Sequence, residues 1–346
     1  MRNKKRLPVH HNPAFSTECY HQYRLSIVMA DPRKIGWVHS HFINLKLLPP
    51  PVTEGFPMIR LEEHLDIYKE ILEEFPLVKS VDWVSTIRKA ISNQHYVVLY
   101  FNWRYIQASK YYGHAADLVH EALIYGFDDE QQAFEMLAFD VEGKVYGATK
   151  ISYQDCEREL QRVLDTEMNA QRWFAFYGFP IVGIRPRDMK DSGPDMHSIY
   201  FALDRGAVHS RDKAGNTFAV GFPVSLALSE YFESECERGG TILESEFAFW
   251  NVMVYKMIQH NAAMNRRLDF LGNMDPIFAE RIKGFYEKTK KGLAVIRSSS
   301  LQYQRSRDPA LLQEISGLFA KNYEAERRAH PLMKEALVFH HLKKYS

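Results

Sequence analysis

The sequence predicts an α+β fold followed by a mostly helical C-terminal part, and three observations predict it. Amphipathic helical patterns before about residue 93 give way to consecutive β-branched and aromatic runs separated by polar turns. Those runs follow one another directly, so they suit antiparallel strands better than alternating βαβ units. After about residue 165 the apolar residues recur at helical spacing to the end of the chain.

Pro8 and Pro13 bracket an irregular start, and helical character begins near Cys19, where Tyr23, Ile27, Val28 and Ala30 fall on one face until Asp31-Pro32 stops it. The aromatic and aliphatic stretch Trp37 to Leu48 ends at Pro49-Pro50-Pro51, a stiff loop. Ile59 to Phe75 reads as an amphipathic helix, with Leu61, Leu65, Tyr68, Leu72 and Phe75 on one side. Asp82 caps a further helix that turns Val84, Ile87 and Ile91 inward. His95 to Phe101 reads as a buried strand, Leu118 to Phe127 as a second and Ala133 to Phe139 as a third. Asp128-Asp129-Glu130 and Glu142-Gly143-Lys144 are the turns after the last two.

Beyond residue 165, His197 to Leu203 and Thr217 to Phe222 are expected to pair as a hairpin across Asp212–Asn216. Thr241 to Leu271, Pro276 to Ile296 and Pro309 to Ala325 are expected helices whose methionine and aromatic stripes form core. The organisation expected is a domain over 1–165 and a mostly helical domain with a short hairpin over 166–346.

Composition narrows the function classes. The 346 residues are 46% hydrophobic and 25% charged, with 44 basic side chains against 43 acidic ones, so nothing calls for nucleic acid or an anionic membrane. The basic run Arg2 to Arg6 precedes Leu7-Pro8 rather than an apolar segment, so it reads as a solvated, disordered start and not as a secretory signal. No stretch approaches the roughly 18 apolar residues of a spanning helix. Cys19, Cys156 and Cys236 are too scattered for a disulfide scaffold and suit a reducing, cytoplasmic setting. There is no CxxC pair, HExxH helix, GxGxxG or GxxxxGK[ST], which removes the usual zinc and nucleotide signatures; no metal or cofactor is expected.

Cysteine chemistry needs a thiol in an environment that favours thiolate, a histidine to move protons and a group to orient that histidine. Cys19 follows Ser16-Thr17-Glu18, a cap-forming set, at the start of a helix whose dipole stabilises negative charge. If the second and third strands form a hairpin over Asp128-Asp129, then His120 and Asp140 emerge side by side at one edge. Read singly, each residue has a plainer role: a small buried thiol, a strand-start histidine and a turn aspartate. Cys156 and Cys236 read as structural. His21, two residues past Cys19, faces away from it on a helix.

The segment His120 to Asp129, followed by a strand into Phe139-Asp140, resembles the histidine–strand–GYD–strand–aspartate pattern of papain-like bacterial cysteine proteins. Double-glycine peptidases and the N-terminal domain of the butirosin biosynthesis protein H acyltransferase share that pattern. The resemblance extends to the helix before Gln94, the strand Val97 to Phe101 and Cys19-Tyr20-His21. Phe218 to Gly221 before a helix, and Trp250 to Leu271, are also similar to proteins of this size in nonribosomal peptide and polyketide clusters. It implies a papain-like fold, an N-terminal helix on an antiparallel sheet, with a Cys19–His120–Asp140 triad. It also implies acyl transfer from an acyl or peptidyl carrier protein, through an acyl-cysteine, to a small amine or peptide, as in antibiotic biosynthesis.

One departure stands out. The family places a glutamine before the cysteine as an oxyanion donor, whereas this chain has His10-His11-Asn12-Pro13-Ala14-Phe15, leaving Asn12 as the amide available. Tyr20, Tyr111 and Tyr112 are candidate cleft residues, since loops at strand ends carry binding groups. The alternatives are a thioesterase or peptidase with water as acceptor, and a degenerate binding module for a synthetase.

Overall fold

The polar turns between apolar runs become hairpin turns of a large antiparallel sheet in the computed structural model. It describes all residues except 1–3, 13, 49–57, 167–180, 191–192, 214, 239–242, 244–245, 273–275 and 344–346, and gives backbone alone for 19, 272, 276–278 and 340–343. The chain opens with β1 (Lys4–Arg6), α1 (Cys19–Val28) and, after a 3-10 turn at Pro32–Lys34, α2 (Ile35–Ser40), β2 (Leu45–Leu48) and β3 (Met58–Leu61). A second 3-10 segment, Leu65–Glu70, leads to β4 (Leu72–Pro76), α3 (Trp83–Ser92), β5 (Tyr96–Asn102) and β6 (Val119–Asp128). Then come β7 (Ala133–Val141), β8 (Lys144–Ser152), α4 (Tyr153–Asp165) and β9 (Ile181–Pro186). The remainder is α5 (Met196–Arg205), β10 (Ala207–Arg211), β11 (Thr217–Gly221), α6 (Pro223–Arg238), α7 (Phe247–Gly272), α8 (Pro276–Ser306) and α9 (Pro309–Lys343). The protein is thus mixed α+β, with antiparallel sheets and a helical C-terminal part.

The elements group into two units, Met1–Lys34 with Leu65–Lys190, and Ile35–His64 with Asp191–Ser346. The division differs from a single cut after residue 165, because strand pairing crosses that point. β9 pairs with β4 and β5, which holds 181–186 in the first unit. β2 pairs with β11, which takes 35–64 into the second.

In the first unit seven strands run in the order β4-β9-β5-β6-β7-β8, with β1 added against β6. Every side chain of β5 is buried, as a continuous apolar run requires of a central strand. Asp128 builds the β6–β7 turn by accepting from the Glu130 and Gln131 amides at 3.1 and 3.2 Å. The capping expected of Asp82 is present: its side chain accepts from Ser85 N at 2.5 Å to open α3. α1 lies on the sheet through Tyr23, whose hydroxyl donates to the Glu121 carbonyl at 2.6 Å.

Three sequence expectations are corrected. Lys4 to Arg6 are not a disordered start but strand β1, their charges answered by Asp128 and Glu135 across the pairing. Gly126 permits that pairing, because a Cβ there would sit 2.9 Å from the Lys5 carbonyl oxygen. Ile59 to Phe75 is not one helix but β3, a 3-10 segment and β4, shared between the two units. Its apolar residues fall three and four apart by coincidence, while Ile59 and Leu61 alternate with exposed-side neighbours as a strand demands. His197 to Leu203 lies in helix α5, capped by Asp195 accepting from the His197 and Ser198 amides. The hairpin partner of Thr217–Gly221 is therefore Ala207–Arg211.

The second unit stacks its helices around a core that includes Ile43, Ile199, Leu203, Met264, Leu268 and Met333, beside a four-stranded sheet in the order β10-β11-β2-β3. The helices expected from the apolar stripes are present as α7, α8 and α9. The side chains of the C-terminal His340-His341 and Lys343-Lys344 lie outside the described residues. No helix among the described residues is long and apolar enough to cross a membrane.

Candidate active site

β6 and β7 supply the framework. Their register ends at this side with Ala122 paired to Ala138. His120 lies two residues before that pair on β6 and Asp140 two residues after it on β7, where the Asp140 carbonyl accepts from the Lys110 amide at 3.0 Å. On the other side β5 pairs Phe101 with His120. The two sequence-predicted residues therefore share one end of one hairpin. The His120 ring packs edge-on against Phe139, with centroids 4.8 Å apart. Phe139 in turn meets Tyr23 and Tyr146 in an aromatic cluster. This cluster joins α1 to the His120 end of the sheet. Cys19 is the first residue of α1, one helical turn before Tyr23; its thiol lies outside the described residues.

Burial lowers the His120 pKa against the opposing pull of the Glu121 carbonyl and the Asp140 charge. The imidazole is thereby held neutral, the form that accepts a proton. Its Nδ1 lies 3.4 Å from the Glu121 carbonyl oxygen, a long contact. A carbonyl can only accept, so this contact favours the proton on Nδ1 and leaves the Nε2 lone pair as the base.

Asp140 does not hydrogen-bond His120. Its carboxylate instead accepts from Tyr111 Oη at 2.9 Å and pairs with Lys110 Nζ at 2.7 Å. Asp140 has a φ of 47°, in the left-handed region, which takes its side chain out of the strand's regular alternation. Its influence on His120 is thus one of charge.

The other candidates are dispersed. Asn12 is exposed at a bend, its backbone N–H donating to His10 Nδ1 at 3.3 Å, and Pro13 beside it lies outside the described residues. Tyr20 is half-buried on α1, and its carbonyl accepts from Arg24 Nη1 at 2.9 Å. Tyr111 is turned to Asp140. Tyr112, 57% exposed, lines a groove of about 730 Å³ together with Tyr105, Gln107, Glu142 and Arg158. His21 is buried, 3.2 Å from the Tyr68 hydroxyl, in keeping with a structural role. Cys156 is fully buried in α4 with its pKa pushed up by desolvation, and Cys236 is partly buried in α6.

Sequence reasoning missed a buried polar network beside the hairpin. Arg24, 2% exposed, donates two bonds of 2.6 Å to the Glu74 carboxylate. Glu121, also 2% exposed, accepts from Tyr100 Oη at 3.0 Å, and its other oxygen has no hydrogen-bond partner. Desolvation raises its pKa to about 7, opposed by the Arg24 charge and the Tyr100 bond. A signal was present: a lone glutamate between His120 and an apolar run sits where a strand has no water to offer it. Among the described residues no three His, Cys, Asp or Glu side chains are grouped to hold a metal.

No protein-family model matches this sequence, and no curated protein matches it significantly.

Proposed function

We propose that the first unit is a papain-like cysteine site that transfers an acyl group from a carrier-protein thioester to an amine. One observation carries the reading: His120 and Asp140 share one end of the β6–β7 hairpin, and α1, which begins at Cys19, is tied to that end through Tyr23. In the proposed reaction His120 Nε2 takes the Cys19 thiol proton and the thiolate attacks the thioester carbonyl. The carrier thiol leaves with the proton from His120, and an acyl-Cys19 remains. The amine then attacks, gives its proton to His120 and displaces Cys19 as amide product. Asp140 stabilises the imidazolium formed in each half-reaction through its charge. The helix N-terminus at Cys19 favours the developing anion. No metal or cofactor is required by these steps.

A second reading has its own observation. Asp140 is engaged by Lys110 and Tyr111, and Asn12 is exposed at a bend, so the fold also suits a degenerate module that docks a synthetase without turnover.

The test uses an acyl-N-acetylcysteamine thioester as carrier mimic, with intact-protein mass spectrometry and product analysis. The acyltransferase reading expects an acyl adduct mapped to Cys19, absent in Cys19→Ala. Adduct formation should slow in His120→Ala by on the order of 10²–10⁴-fold, the usual worth of a general base. Added amine should give amide; free acid alone would make the protein a hydrolase. No adduct on a folded wild-type chain would leave the binding-module reading.

A further inference from the structure

The helices of the second unit enclose a cavity of about 50 Å³. Its wall includes Ser225 of α6, His260 and Asn261 of α7, Tyr286 of α8, and Glu326 and His330 of α9. A water needs about 10–15 Å³ by this measure, so the space takes about three or four heavy atoms. Two glycines bring the backbone close around it. A Cβ on Gly221 would meet the Gly206 carbonyl oxygen at 2.1 Å, and one on Gly206 would meet Asn44 Oδ1 at 2.3 Å. Glu326 and His260 lie deep in the unit yet each keeps some accessible surface, as side chains facing an internal space do.

Glu326 is the unusual member. Its only hydrogen bond is from Ser225 Oγ, at 3.3 Å, and no cationic side chain pairs with it among the described residues. Buried carboxylates are as a rule paired with a cation or several donors, because desolvation otherwise excludes the charge. The basic groups nearest the cavity are already committed. Arg267 Nη2 donates to the His41 carbonyl at 2.6 Å and its Nε to the His39 carbonyl at 2.7 Å. His260 Nε2 lies 2.9 Å from the Ile43 carbonyl, and His330 Nε2 lies 2.7 Å from the Leu203 carbonyl. Since a carbonyl can only accept, His330 carries its proton on Nε2, and burial keeps the ring neutral, so Nδ1 is left as an acceptor. Asn261 spends Nδ2 on the Tyr286 carbonyl, and its Oδ1, which accepts from Asn265 Nδ2 at 3.1 Å, keeps one further lone pair as an acceptor. The wall is therefore rich in acceptors and holds one acid without a counter-ion.

We propose that this cavity is a binding site for a small ammonium-type cation, ammonium itself or a primary amine of up to about three heavy atoms. The N–H donors of such a cation match separate, directional acceptors: the Glu326 carboxylate, His330 Nδ1 and Asn261 Oδ1. A hard metal ion asks instead for six or more oxygens in one shell. Binding exchanges one charge for another: Glu326 gives its proton to solvent and the cation takes its place as counter-charge. Glu326 shares the cavity wall with Ser225 from α6, His260 from α7, Tyr286 from α8 and His330 from its own helix, and acts electrostatically on Tyr286. None of these supplies a permanent positive charge. This inference is independent of the acyl-transfer reading.

Calorimetric titration of the full chain with ammonium chloride and methylammonium chloride at pH 6.5, in two buffers of different ionisation heat, tests it. The expected result is saturable binding with release of about one proton. That proton release disappears when the methylammonium titration is repeated at pH 9.5, above the range in which Glu326 is protonated and still below that in which methylammonium loses its charge. Glu326→Gln, isosteric with the neutral acid, should weaken binding about tenfold or more and abolish the proton release. Tetramethylammonium, with no N–H donor and too many atoms, should not bind. Absence of saturable binding in the wild-type chain, binding without proton release at pH 6.5, or equal affinity in a folded Glu326→Gln chain would each overturn the proposal.

Discussion

Each unit of the molecule holds a desolvated glutamate, and the two differ in their surroundings. Glu121, beside the candidate active site, accepts from Tyr100 and feels the charge of Arg24, and its pKa rises to about 7. Glu326, in the helical unit, has a single bond from Ser225 and no cation, and rises to about 8. The same desolvation acts on both. A buried guanidinium nearby and the Tyr100 bond offset part of it in the first case, and the Ser225 bond alone does so in the second. A buried acid thus reports on its neighbours: Glu121 has a cation close enough to act on it, and Glu326 has none among the described residues.

Removing the guanidinium is the strongest way to break the comparison. Arg24→Leu strips Glu74 of both its 2.6 Å bonds and Glu121 of its offsetting charge. The carboxylate left behind on Glu74 is 30% exposed and partly hydrated, so the loss of its partner costs about 1–3 kcal/mol. Urea denaturation should show a loss of that size, and the Glu121 pKa, followed by carboxyl NMR, should move up towards that of Glu326. A loss below about 1 kcal/mol would mean that Arg24 is not what separates the two acids.

A medium effect comes from pH. Both acids have folded-state pKa values raised above the ordinary glutamate value of 4.5, so the folded chain holds these protons more tightly than the unfolded chain does. Their contribution to stability is complete below about pH 4.5 and is lost as pH rises, through about 7 for Glu121 and about 8 for Glu326. Glu63, raised to about 7 by burial beside Glu62, adds to the same slope. Glu121→Gln should flatten the fall in melting temperature up to about pH 7, and Glu326→Gln should flatten it up to about pH 8. If the two variants flatten the same interval by the same amount, the contrast between the acids is not real.

How far the sequence disclosed these features follows from the range of the interactions involved. The strands β5 to β7 were legible because each is a local apolar run bounded by a polar turn, and the turn over Asp128 brings His120 and Asp140 to the same end of one hairpin. Strand β8, whose side chains mix polar and apolar types, was not named. Local capping signals were equally readable at Asp82 but were overlooked at Asp195, where the aromatic content of His197 to Leu203 suggested a strand. Strand β1 was illegible because its charges are satisfied by Asp128 and Glu135, far along the chain. The same holds for Arg24 with Glu74 and for Asp140 with Lys110 and Tyr111: no local pattern tells a side chain which distant partner will reach it. Candidate residues can be read by type and spacing, while their partners depend on tertiary placement.

The smallest effect contrasts two helix starts of the first unit, those of α1 and α3. α3 begins with the Asp82 side chain bonded to the Ser85 amide, whereas Glu18, in the same position before α1, makes no side-chain cap bond. A capped start is closed to further anions; an uncapped one keeps the positive end of its dipole for whatever charge develops at Cys19. Asp82→Ala should therefore lower stability by about 1 kcal/mol in denaturant unfolding, with Asp82→Asn restoring most of it, since asparagine caps about as well. The Ser85 bond lowers the Asp82 pKa, so this contribution is present above the ordinary aspartate range and fades as pH falls through the depressed value. Cys19 acylation should be untouched by either change. If Asp82→Ala slowed acylation while stability fell by only this amount, the N-terminus of α1 would not be acting alone on the thiol, and the α3 end of the unit would have to be coupled to it.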